Sequence, residues 1–276
     1  MIQFIFVDLD GTFLNSDKQV TVESLKTIQK IKKEYSVQFG IASGRALTSL
    51  IPMLKEQNLE NIVDVIVANN GAEILDVHTK NTKYLPFVEP SALNDVLTTF
   101  QHWPKMTVCF HNPNIFYATR KTDRILHIQK MNHEDHLLDP LKNQSFEASA
   151  RIMLILDSPV DKAYIEKIRN VRFPNLKGYR SEKDIYEFMH RETSKEKGIE
   201  AYVKQWGCSL EDVMSFGDSE NDKEMIRECG WGVAMKNAKR SIQNIANDQT
   251  AFTNDENGVV EYLLQHTDMF LERIED

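Results

Sequence analysis

Four short, largely apolar runs, each stopping on small, polar or acidic residues, do most to restrict how this chain can fold. Residues 2–7 lead into Asp8, 37–42 into Ser43-Gly44-Arg45, 63–68 into Asn69-Asn70-Gly71, and 213–216 into Gly217-Asp218. Runs of this length without regular alternation read as strands buried on both faces of a parallel sheet. Helical patterns over 21–34 and 46–57 lie between them, and strand–helix alternation of this kind predicts an α/β fold with a doubly wound, Rossmann-like parallel sheet. Ligands of such sheets sit beyond the carboxyl ends of the strands. All four polar segments lie at those ends, so chain order alone lets them converge on one site.

The middle of the chain is patterned differently. Strands are expected over 106–110, 115–119 and 151–156, with helices over 91–101, 122–131 and 162–169 and a hairpin signal at Asn112-Pro113-Asn114. The expectation is an α+β domain of residues 84–184 inserted between two halves of a core, 1–83 and 185–276, and a chain of 276 residues is long enough for two domains. Alternation resumes with a helix over 194–207 and a strand from 213. Gly178-Tyr179-Arg180-Ser181 reads either as a polar hinge near the return to the core or as a source of a cation and hydroxyls for a polar substrate.

Asp8-Leu9-Asp10-Gly11-Thr12 closes the first run. Two carboxylates one residue apart at the end of a buried strand are costly unless a cation, a proton or hydrogen bonds compensate them. The pair suits a carboxylate nucleophile and a neighbouring acid/base group working at a phosphoryl centre beside a metal. The plainer alternative is a strand end that initiates a turn.

Together the strand-end residues resemble the haloacid dehalogenase superfamily of phosphohydrolases, in particular its Cof-type branch with a type IIB cap. Asp8-Leu9-Asp10-Gly11-Thr12 matches the first motif of that family, Ser43-Gly44-Arg45 the second, a lysine near 195 the third, and Gly217-Asp218-Ser219-Glu220-Asn221-Asp222 the fourth. The resemblance implies Asp8 as nucleophile through an aspartyl-phosphate and Asp10 as general acid, then base. It implies Mg2+ ligated by the Asp8 carboxylate, the Asp10 backbone carbonyl and Asp218, with Asp222 orienting a ligand or water. Ser43 and the Gly44 amide would hold phosphoryl oxygens, although Ser43 is also an ordinary helix N-cap. Asn221 would contact phosphate or the lysine, and Arg45 reads equally as an exposed salt-bridge residue. Family spacing back from Asp218 selects Lys195 as the phosphate-binding cation. Glycine follows Lys197 rather than Lys195 here, which leaves Lys197 as a rival.

The implied activity is Mg-dependent hydrolysis of small phosphorylated metabolites, with sugar phosphates the modal class and pyridoxal phosphate or flavin mononucleotide as alternatives. A phosphomutase and a non-catalytic phosphometabolite sensor are the competing readings. A net charge of −8 argues against nucleic acid or an anionic membrane surface as partner. Cys109, Cys208 and Cys229 are scattered and odd in number, and no apolar run approaches membrane-spanning length. A cytoplasmic monomer or homodimer is therefore expected. His127, His133 and His136 in the insert lack a convincing third ligand for zinc and read as a solvated face.

Overall fold

The computed structural model describes residues 1–111, 115–131, 137–138, 145–157 and 162–271, and the chain forms two compact units, Met1–Leu85 with Ser194–Asp276, and Pro86–Thr193. The first unit begins with β1 (Phe4–Val7), α1 (Val22–Glu34), β2 (Gln38–Ala42), α2 (Leu47–Glu56), β3 (Val65–Ala68), β4 (Glu73–Asp76) and β5 (Thr82–Tyr84). The second contains α3 (Pro90–Phe100), β6 (Met106–His111), β7 (Phe116–Ala118), α4 (Asp123–Met131), β8 (Leu137–Leu138), β9 (Ile152–Leu156), α5 (Lys162–Asn170), β10 (Leu176–Glu182) and β11 (Ile185–His190). The first unit then resumes with α6 (Lys195–Val203), β12 (Val213–Gly217), α7 (Lys223–Glu228), β13 (Trp231–Ala234), α8 (Arg240–Gln243), β14 (Asp248–Gln249) and α9 (Gly258–Gln265).

The eight strands of the first unit run in the order β14-β13-β12-β1-β2-β3-β4-β5, parallel from β14 to β3, with β4 and β5 added antiparallel at one edge. Every residue of β1, β3 and β12 is buried, as in strands covered on both faces. Ile5 of β1 lies opposite Phe39 of β2 on one side and Met214 of β12 on the other. From β1 the chain therefore proceeds in one direction to β2 and β3 and returns on the opposite flank at β12. That reversal opens a crevice at the carboxyl end of β1, where Asp8 begins. Helix α1 covers the sheet with Ile28 and Ile31, and the Thr21 side chain caps it by accepting the Ser24 amide.

The second unit is a six-stranded sheet in the order β10-β11-β9-β6-β7-β8, antiparallel except for the β7–β8 pair. Alternate residues of β9 serve opposite faces. Leu154 packs with Val108, Phe188 and the α3 and α5 residues Phe100 and Ile168, whereas Met153 and Ile155 pack with Ile125 and Ile128 of α4.

Two features depart from the sequence reading. Gly178-Tyr179-Arg180-Ser181 is no hinge: it lies within β10, which pairs with β11. Residues 185–193, expected in the second half of the core, belong to the inserted unit. The mixed, polar sequence of β10 hides its strand character, which comes from antiparallel pairing with β11. The edge hairpin of β4 and β5 was likewise not anticipated. Of the insert's histidines, His127 lies on α4, and His133 and His136 fall outside the described residues.

Candidate active site

A buried charge cluster occupies the carboxyl ends of β1 and β12. Asp8 follows β1 directly and is 5% exposed. Lys195, fully buried at the first turn of α6, donates from Nζ to Asp8 Oδ1 and to Asp222 Oδ1, both at 2.6 Å. The lysine is delivered there because Ser194 ends the preceding extended segment and caps α6, accepting the Lys197 amide at 3.2 Å. Asp222 is fixed from its other side, where Oδ2 accepts the backbone amides of Asp218 and Ser219 at 3.0 and 2.9 Å. Asp218 accepts from the Thr12 hydroxyl at 3.4 Å and the Ser219 hydroxyl at 3.1 Å. Gly11, at φ +87°, leaves the space that Asp218 enters: a Cβ there would lie 2.9 Å from Asp218 Oδ2.

The other residues singled out from the sequence are distributed around this cluster. Asp10 turns to Arg45, whose Nη2 and Nε reach Oδ1 and Oδ2 at 2.7 and 2.9 Å, and to Lys18 Nζ at 2.7 Å from Oδ1. Arg45 is thus the bidentate partner of Asp10 rather than a free surface cation. Burial is the largest single influence on the Asp10 carboxyl and pushes it up, but Arg45 and Lys18 outweigh it and hold the group below its ordinary value. Ser43 is buried and does not cap α2, whose N-cap is Ala46; its Oγ accepts the Arg45 amide at 3.2 Å, tightening the turn that carries Gly44. Asn221 donates from Nδ2 to Asn70 Oδ1 at 3.0 Å. Lys197 is half exposed and pairs with Glu196 and Glu200, away from Asp8. Lys18, Thr12 and Asn70 were not singled out from the sequence. Thr12 stood inside a quoted motif and Asn70 inside a quoted strand end, whereas Lys18 carried no local signal.

This arrangement can be set beside known proteins. The sequence profile of the haloacid dehalogenase-like hydrolases matches residues 5–263. The chain belongs to this family. A Haemophilus influenzae protein is 27% identical to this hydrolase over 259 residues, 94% of this chain and 96% of that one. The 5-amino-6-(5-phospho-D-ribitylamino)uracil phosphatase of Escherichia coli is 26% identical over 276 residues, covering 96% and 97% of the two chains. Among solved structures, SMU.1108c from Streptococcus mutans superposes with a TM-score of 0.84 at 20% identity, covering 97% of this chain and 100% of that chain. A subclass IIB sugar phosphatase of the same superfamily superposes with a TM-score of 0.82, also at 20% identity, covering 97% and 100%. The α/β core with a second, largely antiparallel sheet is therefore the fold of this superfamily.

Enzymes of this family generally use a divalent metal, and the hydrolase carries a group suited to one. Carboxylate oxygens of Asp8, Asp218 and Asp222 lie within 4.8 Å of one another, with the Lys195 ammonium paired to Asp8 and Asp222. An all-oxygen donor set is the chemistry of a hard cation. Asp222 is held through both oxygens by the Lys195 ammonium and two backbone amides, whereas Asp218 accepts from the Thr12 and Ser219 hydroxyls, weaker competitors for a cation. The electrostatics agree. Burial pushes the Asp8 carboxyl well above its usual range, with Asp222 and Asp218 adding to the effect and Lys195 opposing it. Burial and then Asp222 push Asp218 up to about 6. Burial works to lower Lys195, but Asp222 and Asp8 outweigh it and keep the ammonium charged.

A pH-dependent metal effect follows. A carboxyl raised in the folded state holds its proton more firmly there than when unfolded, so it destabilises the metal-free fold as pH rises from about 4, the unfolded value, through about 6, the Asp218 value. A bound cation reverses this and must displace the proton to bind. Mg2+ is therefore expected to raise the melting temperature more at about pH 7.5 than at about pH 5.5. Equal shifts at the two pH values in a thermal-denaturation series would remove Asp218 from the metal site.

Proposed function

We propose that this hydrolase is a Mg-dependent phosphomonoesterase acting on small phosphorylated metabolites through an aspartyl-phosphate. The observation that carries the reading is Asp8, buried at the carboxyl end of β1 and held by a fully buried lysine within an acidic cluster suited to a hard cation. Lys195 directs Asp8 and opposes the burial that disfavours its ionised form; once ionised, one carboxylate oxygen attacks phosphorus in line while the P–O bond to the leaving group breaks. Ser43 Oγ and the Gly44 amide hold phosphoryl oxygens, and the Lys195 ammonium offsets charge on the transferring group. Asp10 protonates the leaving alkoxide and then takes a proton from the water that hydrolyses the aspartyl-phosphate. With Arg45 and Lys18 in place Asp10 is held ionised, the state needed for the second step; acting as an acid requires these contacts to give way to the leaving group. Mg2+, held by the carboxylates of Asp8 and Asp218 and the carbonyl of Asp10, would mask the phosphoryl charge that otherwise repels the nucleophile.

The first unit supplies every group assigned to chemistry at phosphorus, so choice of leaving group is assigned to the inserted unit, 86–193. The E. coli relative is named for a phosphorylated ribityl chain and one structural neighbour is a sugar phosphatase, which favours phosphorylated sugars and sugar alcohols as substrates. A panel of sugar phosphates, the ribitylaminouracil phosphate, pyridoxal phosphate and flavin mononucleotide, assayed with Mg2+ and with chelator, tests the reading. Metal-dependent phosphate release, highest on the polyol esters, is expected. A folded, metal-supplied protein that releases phosphate from none of them would sink the proposal, and phosphate moved to another position on the sugar would indicate a mutase.

A further inference from the structure

The turn after β3 is the one strand-end segment to which the chemistry above gives no task, and it has the most unusual backbone in the site. Asn69, Asn70 and Gly71 are three successive residues at positive φ, +46°, +52° and +103°. Two side-chain-bearing residues in the left-handed region are disfavoured and persist only where the surroundings over-determine them. Here the surroundings are the other motifs. The Asn69 amide donates to the Arg45 carbonyl at 2.8 Å and the Asn70 amide to the Ser43 carbonyl at 2.9 Å. Gly71 lies against Ser194, where a Cβ would fall 1.9 Å from its carbonyl oxygen. Asn70 is 2% exposed, and its carboxamide occupies the space beside Gly44: a Cβ on Gly44 would lie 3.3 Å from Oδ1 and 3.4 Å from Nδ2. The same Oδ1 receives Asn221 Nδ2 at 3.0 Å.

One side chain thus spans the turn of Gly44 and the loop of Asn221, segments that approach from opposite flanks of β1. A turn needed only to join β3 to β4 would have no use for a buried carboxamide aimed at both. We propose that Asn70 is a positioning residue of the phosphoryl site: it sets the separation of the Gly44 amide and the Asn221 carboxamide, so that affinity for the phosphate group depends on it although it acts through its neighbours. The inference rests on the phosphatase reading and on the assignment of Gly44 and Asn221 to phosphate binding. Asparagine suits the post because it tolerates the left-handed region and carries a carboxamide.

The variant N70G keeps the backbone conformation and removes the carboxamide. Affinity for inorganic phosphate, titrated with Mg2+ present, is expected to fall about tenfold in N70G, and KM for p-nitrophenyl phosphate to rise by a similar factor with kcat changed less than about threefold. Because Asn70 acts in part through Asn221, the losses in N70G and N221A should not multiply, and the double variant N70G/N221A should bind phosphate with nearly the affinity of N70G alone. Phosphate affinity within about twofold of wild type in N70G, or losses that simply multiply in the double variant, would overturn the proposal. Should N70G not fold, N70D keeps the volume and the left-handed tolerance while adding a negative charge. A marked loss of phosphate affinity in N70D is then expected, and unchanged affinity would overturn the assignment. Wild-type protein that binds phosphate but hydrolyses no ester fails the phosphatase reading alone, and the affinity comparison still decides the role of Asn70. Wild-type protein that binds no phosphate overturns both.

Discussion

Asp8→Asn is expected to abolish phosphate release, lowering kcat by at least about 10^4-fold, while leaving the chain folded. The amide is nearly isosteric with the carboxylate and can still accept from Lys195 through Oδ1, so the geometry around α6 should survive. What it loses is the anionic oxygen that forms the bond to phosphorus, and no other carboxylate holds the same place at the end of β1. The electrostatics make the experiment sharper than a simple loss of activity. Burial together with Asp222 and Asp218 disfavours the ionised form of Asp8, so its removal relieves the metal-free fold at high pH. The variant should therefore melt no lower than wild type without metal at about pH 8 and gain less from Mg2+. Turnover above about 1% of wild type in D8N would exclude Asp8 as the nucleophile.

Lys195→Met is expected to damage both stability and catalysis. Breaking a buried ion pair by removing one partner costs about 3–5 kcal/mol, because the charge left behind is neither solvated nor paired. Here two acids are stranded, Asp8 and Asp222, each 2.6 Å from the lost ammonium. The sign of the pH effect follows. Burial raises the Asp8 carboxyl and Lys195 opposes that rise, so without the lysine Asp8 holds its proton still more firmly in the folded state than in the unfolded one, and the deficit is full at high pH and shrinks as pH falls and Asp8 is neutralised. Denaturant melts at about pH 8 and about pH 5.5 measure it directly. Turnover should fall by about 10^2–10^3, the usual consequence of removing one electrostatic stabiliser of the transferring group. Lys197→Met should change stability by less than about 1 kcal/mol, since the Lys197 side chain is half exposed and its ammonium stays solvated. Comparable losses in the two variants would make the buried pairing of Lys195 irrelevant to function.

The core strands that were legible in the sequence share one physical property. β1, β2, β3 and β12 are buried on both faces, so their apolar character is continuous and survives in the local sequence. β10 and the edge strands β4 and β5 are not of that kind. Their residues are mixed, and antiparallel pairing makes them strands, β10 with β11, β4 with β3, and β5 with β4; a single strand's own residues do not carry that information. The same distinction applies within the site. Asp8, Asp10, Ser43, Gly44 and Asp218 stand at the ends of strands or in the turns that follow them. The partners of Asp10 were not legible, because Lys18 and Arg45 reach it from a loop and from the turn before α2, and nothing in their own neighbourhoods announces the meeting.

By itself the sequence determined which chemical groups stand at the carboxyl ends of the parallel strands, and with them the family and the class of reaction. That information is local, because a buried strand and the turn after it are encoded by adjacent residues. Family spacing pointed to Lys195 over its rival Lys197, and the tertiary structure brings Lys195 to Asp8. Tertiary structure alone decided that Asp222 spends both oxygens on Lys195 and the backbone, and that Asn70 joins Gly44 to Asn221. These choices depend on contacts between segments far apart in the chain. Lys195 and Asp8 are 187 positions apart, and only the order of strands around β1 and the burial of the first turn of α6 bring them within 2.6 Å.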